Sequence, residues 1–164
     1  MPRKIKPFQR LNTQDIEEYD TQLAVLRARL NSAILSSLAR SRLHSCLGSL
    51  LLADPSTVHE GLALLESCTG LDGDDIIVWT IRHATALQYT DRHLEACDIL
   101  LSAIAKSRPD GPYLDFALQH YGKCLVEMGE IARARACLEE AYELRKRKGD
   151  QTLIASTQRA LAGL

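Results

Sequence analysis

Apolar residues recur along most of the chain at intervals of three and four, the spacing that lines one face of an α-helix. The first such run holds Ile16, Tyr19, Leu23, Leu26, Leu30 and Ala33, and Asn12 or Thr13 ahead of it can cap a helix N-terminus. So narrow a stripe serves either a helix laid on its neighbour or a short heptad seam, and about three heptads favour the neighbour. Beyond it Leu, Ala, Glu and Arg dominate, and these are strong helix formers. Apolar runs suited to a strand are confined to Ile76-Ile77-Val78-Trp79. The pattern predicts an all-α chain.

Breaks in that pattern come at Asp54-Pro55-Ser56, Gly70-Leu71-Asp72-Gly73, Arg108-Pro109-Asp110-Gly111-Pro112 and Lys148-Gly149-Asp150. Each combines residues that end one helix and start the next. The later intervals are long enough for two helices, so the chain invites a search for repeats. Residues 115–144 read LDFALQHYGKCLVEMGEIARARACLEEAYEL, with Tyr121-Gly122 in a first helix, Gly129 in a tight turn, and Ala134, Leu138 and Ala141 in a second. Ala84, Ala96, Leu100 and Ala103 stand 38 residues earlier in the same order. A further 35 residues back stand Ser49, Gly61, Leu65 and Cys68, and 40 residues forward of Tyr121-Gly122 stands Leu161-Ala162. Small residues at these places let paired helices approach, and the large ones fill the groove between them.

This arrangement resembles the tetratricopeptide repeat over about residues 41–164, most specifically in the last third. Thr80 and His83, and Ser45 and Gly48 in the earliest copy, stand where the family has bulky apolar residues, and the repeat spacing exceeds the family's usual length of about 34. The resemblance implies a right-handed α-solenoid of antiparallel helix pairs, with about three repeats, a C-terminal capping helix and an N-terminal helix. As domains, residues 1–12 read as a loose tail and 13–164 as a single repeat domain. Within it the N-terminal helix covers about 13–38, the repeats about 41–151 and the capping helix about 152–164.

Composition narrows the class of function. Twenty Lys and Arg against 21 Asp and Glu give a net charge of -1, which argues against a dedicated nucleic-acid binder. No apolar run approaches the roughly 20 residues of a membrane span. The basic start, Met1 to Pro7, is followed by Phe8-Gln9-Arg10-Leu11-Asn12 where a secretion signal needs an apolar stretch. Five cysteines without a CxxC pair fit reduced thiols in a cytoplasmic protein. Cys68 and Cys97 fall at helix contacts and read as small buried hydrophobes.

Candidate chemistry is sparse. Phosphate loops, HExxH, GxSxG and EF-hand spacings are absent from the sequence, so no catalytic residue, metal ligand or cofactor is expected. Asp72, Asp74 and Asp75 precede a helix and suit its N-terminus, and Arg145-Lys146-Arg147-Lys148 suits the C-terminal end of another. The tetratricopeptide resemblance instead implies a concave surface lined by first helices, which receives a peptide or helix from a partner protein. Its facing residues would be Thr85, Gln88 and Tyr89 in the second repeat, Gln119, Lys123 and Glu127 in the third, and Arg159 on the capping helix. The Lys and Asn arrangement of a carboxylate clamp does not recur from helix to helix. Two other readings stay open: a homo-oligomerisation module, packing through Leu153, Ile154, Leu161 and Leu164 or through the N-terminal helix, and a regulatory sensor for a small signalling ligand.

Overall fold

The computed structural model describes residues 16–32, 34–107 and 112–164. Among the described residues there are eight α-helices and no strand: α1 Ile16–Leu30, α2 Ser37–Leu51, α3 Val58–Glu66, α4 Gly73–Tyr89, α5 His93–Ser107, α6 Leu114–Glu127, α7 Ile131–Lys148 and α8 Gln151–Ala162. The all-α expectation is met, and Ile76-Ile77-Val78-Trp79 lies within α4. The expected tail at 1–12, the caps Asn12 and Thr13, and the break at Arg108–Gly111 fall outside the described residues. The chain divides into two compact units, Met1–Thr90 and Asp91–Leu164. The boundary falls at the short turn between α4 and α5, where Asp91 adopts φ 66°.

In the first unit α1 lies on α2, and α3 packs against both α2 and α4. The stripe read from the sequence is the more shielded side of α1: Tyr19, Leu23, Leu26 and Leu30 are half-buried between exposed neighbours. This helix ends at Leu30, short of the expected 38, because Ser36 starts a new one by accepting from the Ala39 amide through its Oγ. Such a cap satisfies a donor that the first helical turn leaves open. Asp72 stands at the N-cap of α4 with Asp74 and Asp75 in its first turn, the electrostatically favoured end.

The α2/α3 pair corrects one detail of the repeat register. A Cβ on Gly48 would sit 2.8 Å from the Gly61 carbonyl oxygen and 2.8 Å from Leu65 Cγ, and one on Gly61 would sit 2.7 Å from the Gly48 oxygen. The close approach therefore belongs to Gly48 and not to Ser49, which is half-buried. The linking turn through Asp54-Pro55 is one residue longer than its counterpart in α6/α7. That extra residue shifts the contact by one place along α2.

The second unit carries α6 between α5 and α7, with α8 on α7. Here the expected register holds. Gly122 faces Leu138, whose Cγ would be 2.8 Å from an added Cβ, and Ala134, Leu138 and Ala141 are all fully buried. Gly129 (φ 82°) makes the turn between α6 and α7, and Gly149 (φ 78°) ends α7. Both take the left-handed conformation that favours glycine.

Candidate functional site

Helix α6 carries an unusual share of buried polar groups. Gln119, Lys123 and Glu127 follow one another at helical intervals of four, which sets them along one face. Gln119 has 0% of its surface exposed and Lys123 5%. Neither the nitrogen nor the oxygen of the Gln119 amide has a hydrogen-bond partner, a condition that costs about 1–3 kcal/mol. Glu127 is half-buried and its Oε2 pairs with His93 Nε2 at 2.9 Å, joining α6 to α5. Its other carboxylate oxygen is buried without a partner.

The remaining residues expected on a groove are placed differently. Thr85 is buried and donates its hydroxyl to the Ile81 carbonyl at 2.8 Å. Gln88 is fully buried, Tyr89 is half-buried at the end of α4, and Arg159 on α8 is exposed. The structure thus aligns Gln119, Lys123 and Glu127 on one helix, and Thr85, Gln88 and Tyr89 on another.

Two groupings were not anticipated from the sequence. Arg145, grouped there with three basic neighbours at a helix end, is 0% exposed. Its Nε donates to Asp115 Oδ2 at 3.0 Å, and its Nη1 to Thr157 Oγ1 at 2.8 Å and to the Leu153 carbonyl at 3.2 Å. Lys148 Nζ donates to the other Asp115 oxygen, and the Arg145 guanidinium lies 5.1 Å from the centre of the Phe116 ring. This cluster fastens α6, α7 and α8 together. A buried cation needs this degree of compensation, since desolvation is costly. The hint in the sequence was Asp115, an acidic residue opening the otherwise apolar first turn of α6.

The second grouping is of sulfurs. Cys97 Sγ lies 3.5 Å from Cys124 Sγ and 3.7 Å from Met128 Sδ, and the Cys124 thiol donates to the His93 carbonyl at 3.5 Å. Burial pushes both thiols above the ordinary cysteine range, Cys124 the further, with its hydrogen bond to Cys97 adding to the effect. Elsewhere, a half-open cavity of about 490 Å³ between α1 and α2 is lined by Leu26, Leu35, Ala39, Leu43 and Cys46 with Arg29, Ser32 and Arg42. Arg42 is already engaged by Asp75 at 2.6 Å. No group of three or more His, Cys, Asp or Glu suited to a metal occurs among the described residues.

The spacing of small residues seen in these helix pairs agrees with an independent comparison. The family model described as tetratricopeptide repeat matches residues 75–163, more than half of the chain. The chain belongs to the tetratricopeptide repeat family. The matched region runs from the first turn of α4 to the end of α8, and the eight described helices without a strand have the helical-repeat character of the family. No curated protein and no solved structure matches the chain. Tetratricopeptide repeats generally mediate protein–protein interaction and typically serve as non-enzymatic scaffolds. No described helix of this member is long and apolar enough to cross a membrane.

Proposed function

We propose that this tetratricopeptide protein is a non-enzymatic adaptor that holds a peptide or helix of a partner against the polar face of α6, with residues 13–164 acting as one repeat domain. The observation that carries the reading is Gln119: a fully buried side-chain amide with both its donor and its acceptor unmet. An amide pairs naturally with a peptide backbone, which offers one N–H and one C=O per residue. Engagement requires the side chains that shield Gln119 to give way, and the hydrogen bonds regained offset part of that cost. Lys123 and Glu127 extend the same face with one charge of each sign. Thr85, Gln88 and Tyr89 on α4 and Arg159 on α8 complete the proposed contact set. A cytoplasmic setting suits the five unbridged thiols.

The test is a selection of binders from a displayed random-peptide library against the whole chain, followed by affinity measurement on variants. Gln119→Leu keeps the volume and removes the amide, and it should weaken selected peptides by about tenfold, the scale of one lost hydrogen bond in a buried site. Tyr89→Ala with Lys123→Ala should weaken them further while helicity is retained. Peptides bound equally by wild type and all these variants would remove the α6 face from consideration.

Self-association is a second reading with its own support. Leu153, Ile154, Leu161 and Leu164, at and beside the C-terminal helix, are only half-buried. Light scattering over a range of concentrations decides it: a mass that rises with concentration, and no longer does so after Ile154→Glu, favours assembly over foreign-peptide capture.

A further inference from the structure

We propose that Cys97 and Cys124 form an oxidation site at which a hydroperoxide converts the two thiols into a disulfide that ties α5 to α6. The reading stands on the α5/α6 contact and is independent of what α6 binds. The two sulfurs face each other at 3.5 Å within a single compact unit, and a disulfide needs about 2.0 Å. Closing the remaining gap of about 1.5 Å falls within the reach of rotation about the two Cα–Cβ bonds. Both side chains belong to one seam: His93 and Cys97 are a helical turn apart on α5, and Cys124 and Met128 are a turn apart on α6. The His93–Glu127 ion pair holds the two helices in register beside them.

The two cysteines are not equivalent, and the difference orders the chemistry. Cys97 retains 8% of its surface and Cys124 none, so Cys97 meets the oxidant. Its thiolate attacks one peroxide oxygen, the O–O bond breaks, and the other oxygen leaves as hydroxide and becomes water by taking the thiol proton. Cys97 is then a sulfenic acid. Cys124 Sγ attacks Cys97 Sγ, the S–O bond breaks, and the departing hydroxide leaves as water with the Cys124 proton. Each thiol has lost one hydrogen and one electron, and the peroxide has been reduced to two waters. Burial disfavours both thiolates, so the reaction is slow and answers to sustained oxidant. The disulfide also withdraws the Cys124 thiol from the His93 carbonyl and joins α6 covalently to α5 next to Lys123.

The experiment treats the full chain under native conditions with hydrogen peroxide, then unfolds it, alkylates remaining thiols and maps the peptides by mass. The expected product has lost two hydrogens, yields a linked peptide containing Cys97 and Cys124, and reverts with dithiothreitol. Urea unfolding of the linked form should show an unfolding constant lower by roughly a hundredfold, as expected for closing a loop of this length. Cys97→Ser should leave Cys124 unlinked to any other cysteine. Alkylation of Cys97 and Cys124 after treatment, linkage of either to Cys46, Cys68 or Cys137, or a linked form no harder to unfold than the reduced one would each overturn the proposal.

Discussion

The α2/α3 and α6/α7 helix pairs use one packing device with two different chemistries. In both, a glycine lets a second helix come close enough for a leucine to seat against it: Gly48 with Gly61 and Leu65, and Gly122 with Ala134 and Leu138. They differ in what lies around the crossing. The buried polar groups of α2 are two hydroxyls, Ser41 and Ser45, whereas α6 buries Asp115, Gln119 and Lys123. The repeat thus fixes a backbone contact and leaves the neighbouring positions free to carry charge. A scaffold reused for many partners needs that freedom, because fold and function are then set by different residues.

The comparison breaks most sharply at the buried ion pair. Asp115→Ala should destabilise the chain by about 3–5 kcal/mol, because it leaves the Arg145 guanidinium buried without its carboxylate. Asp75→Ala, which removes the exposed partner of Arg42 in the other unit, should cost about 0–1 kcal/mol. Urea denaturation of both variants checks the contrast. Equal losses would mean that the burial of Arg145 relaxes easily in solution.

A smaller effect sharpens the comparison of the two crossings. Gly48→Ala should cost more than Gly122→Ala, within the range of about 1–3 kcal/mol typical of overpacking. The new Cβ at 48 meets a backbone oxygen, which can retreat only if the helices separate, whereas the one at 122 meets first the Leu138 side chain. Thermal melts of the pair, with Ser49→Ala as a nearly neutral reference, test the one-residue shift in α2. A larger loss for Ser49→Ala than for Gly48→Ala would restore the register read from the sequence.

The smallest effect is set by pH and belongs to the first unit. Burial, and then the nearby Arg40 charge, hold the His44 imidazole below its ordinary pKa, so the unfolded chain takes up a proton before the folded one does. Stability associated with His44 is therefore present above about pH 6.5, the unfolded value, and declines as the pH falls through it. Denaturation midpoints measured at pH 7.5 and 5.5 should differ less in His44→Gln than in wild type. An unchanged difference would place the acid sensitivity elsewhere.

Much of the helical order was legible because helix periodicity and the residues that break it are local properties. The crossings at Gly122, Ala134 and Leu138 were legible for a further reason: a close contact tolerates only small residues, so geometry leaves a mark on residue choice. The contact at Gly48 was misplaced by one because turn length does not mark the helices on either side. Gln119, Lys123 and Glu127 were found as a helical face, but their burial was not, since a polar residue looks the same in sequence whether covered or exposed.

What the sequence by itself determined is the all-α class, the helix-pair repeat and the family, all written in spacings of three, four and about 35 to 40 residues. What only the tertiary structure decided is which distant residues meet. Arg145 could be read as one more solvated charge until Asp115 and Thr157, 30 and 12 residues away in the chain, closed around it. Cys97 and Cys124 could be read as two separate small hydrophobes until α5 and α6 brought their sulfurs together. Such pairings join residues on different helices, and local periodicity carries no information about them, because the free energy that selects them arises only when the helices pack.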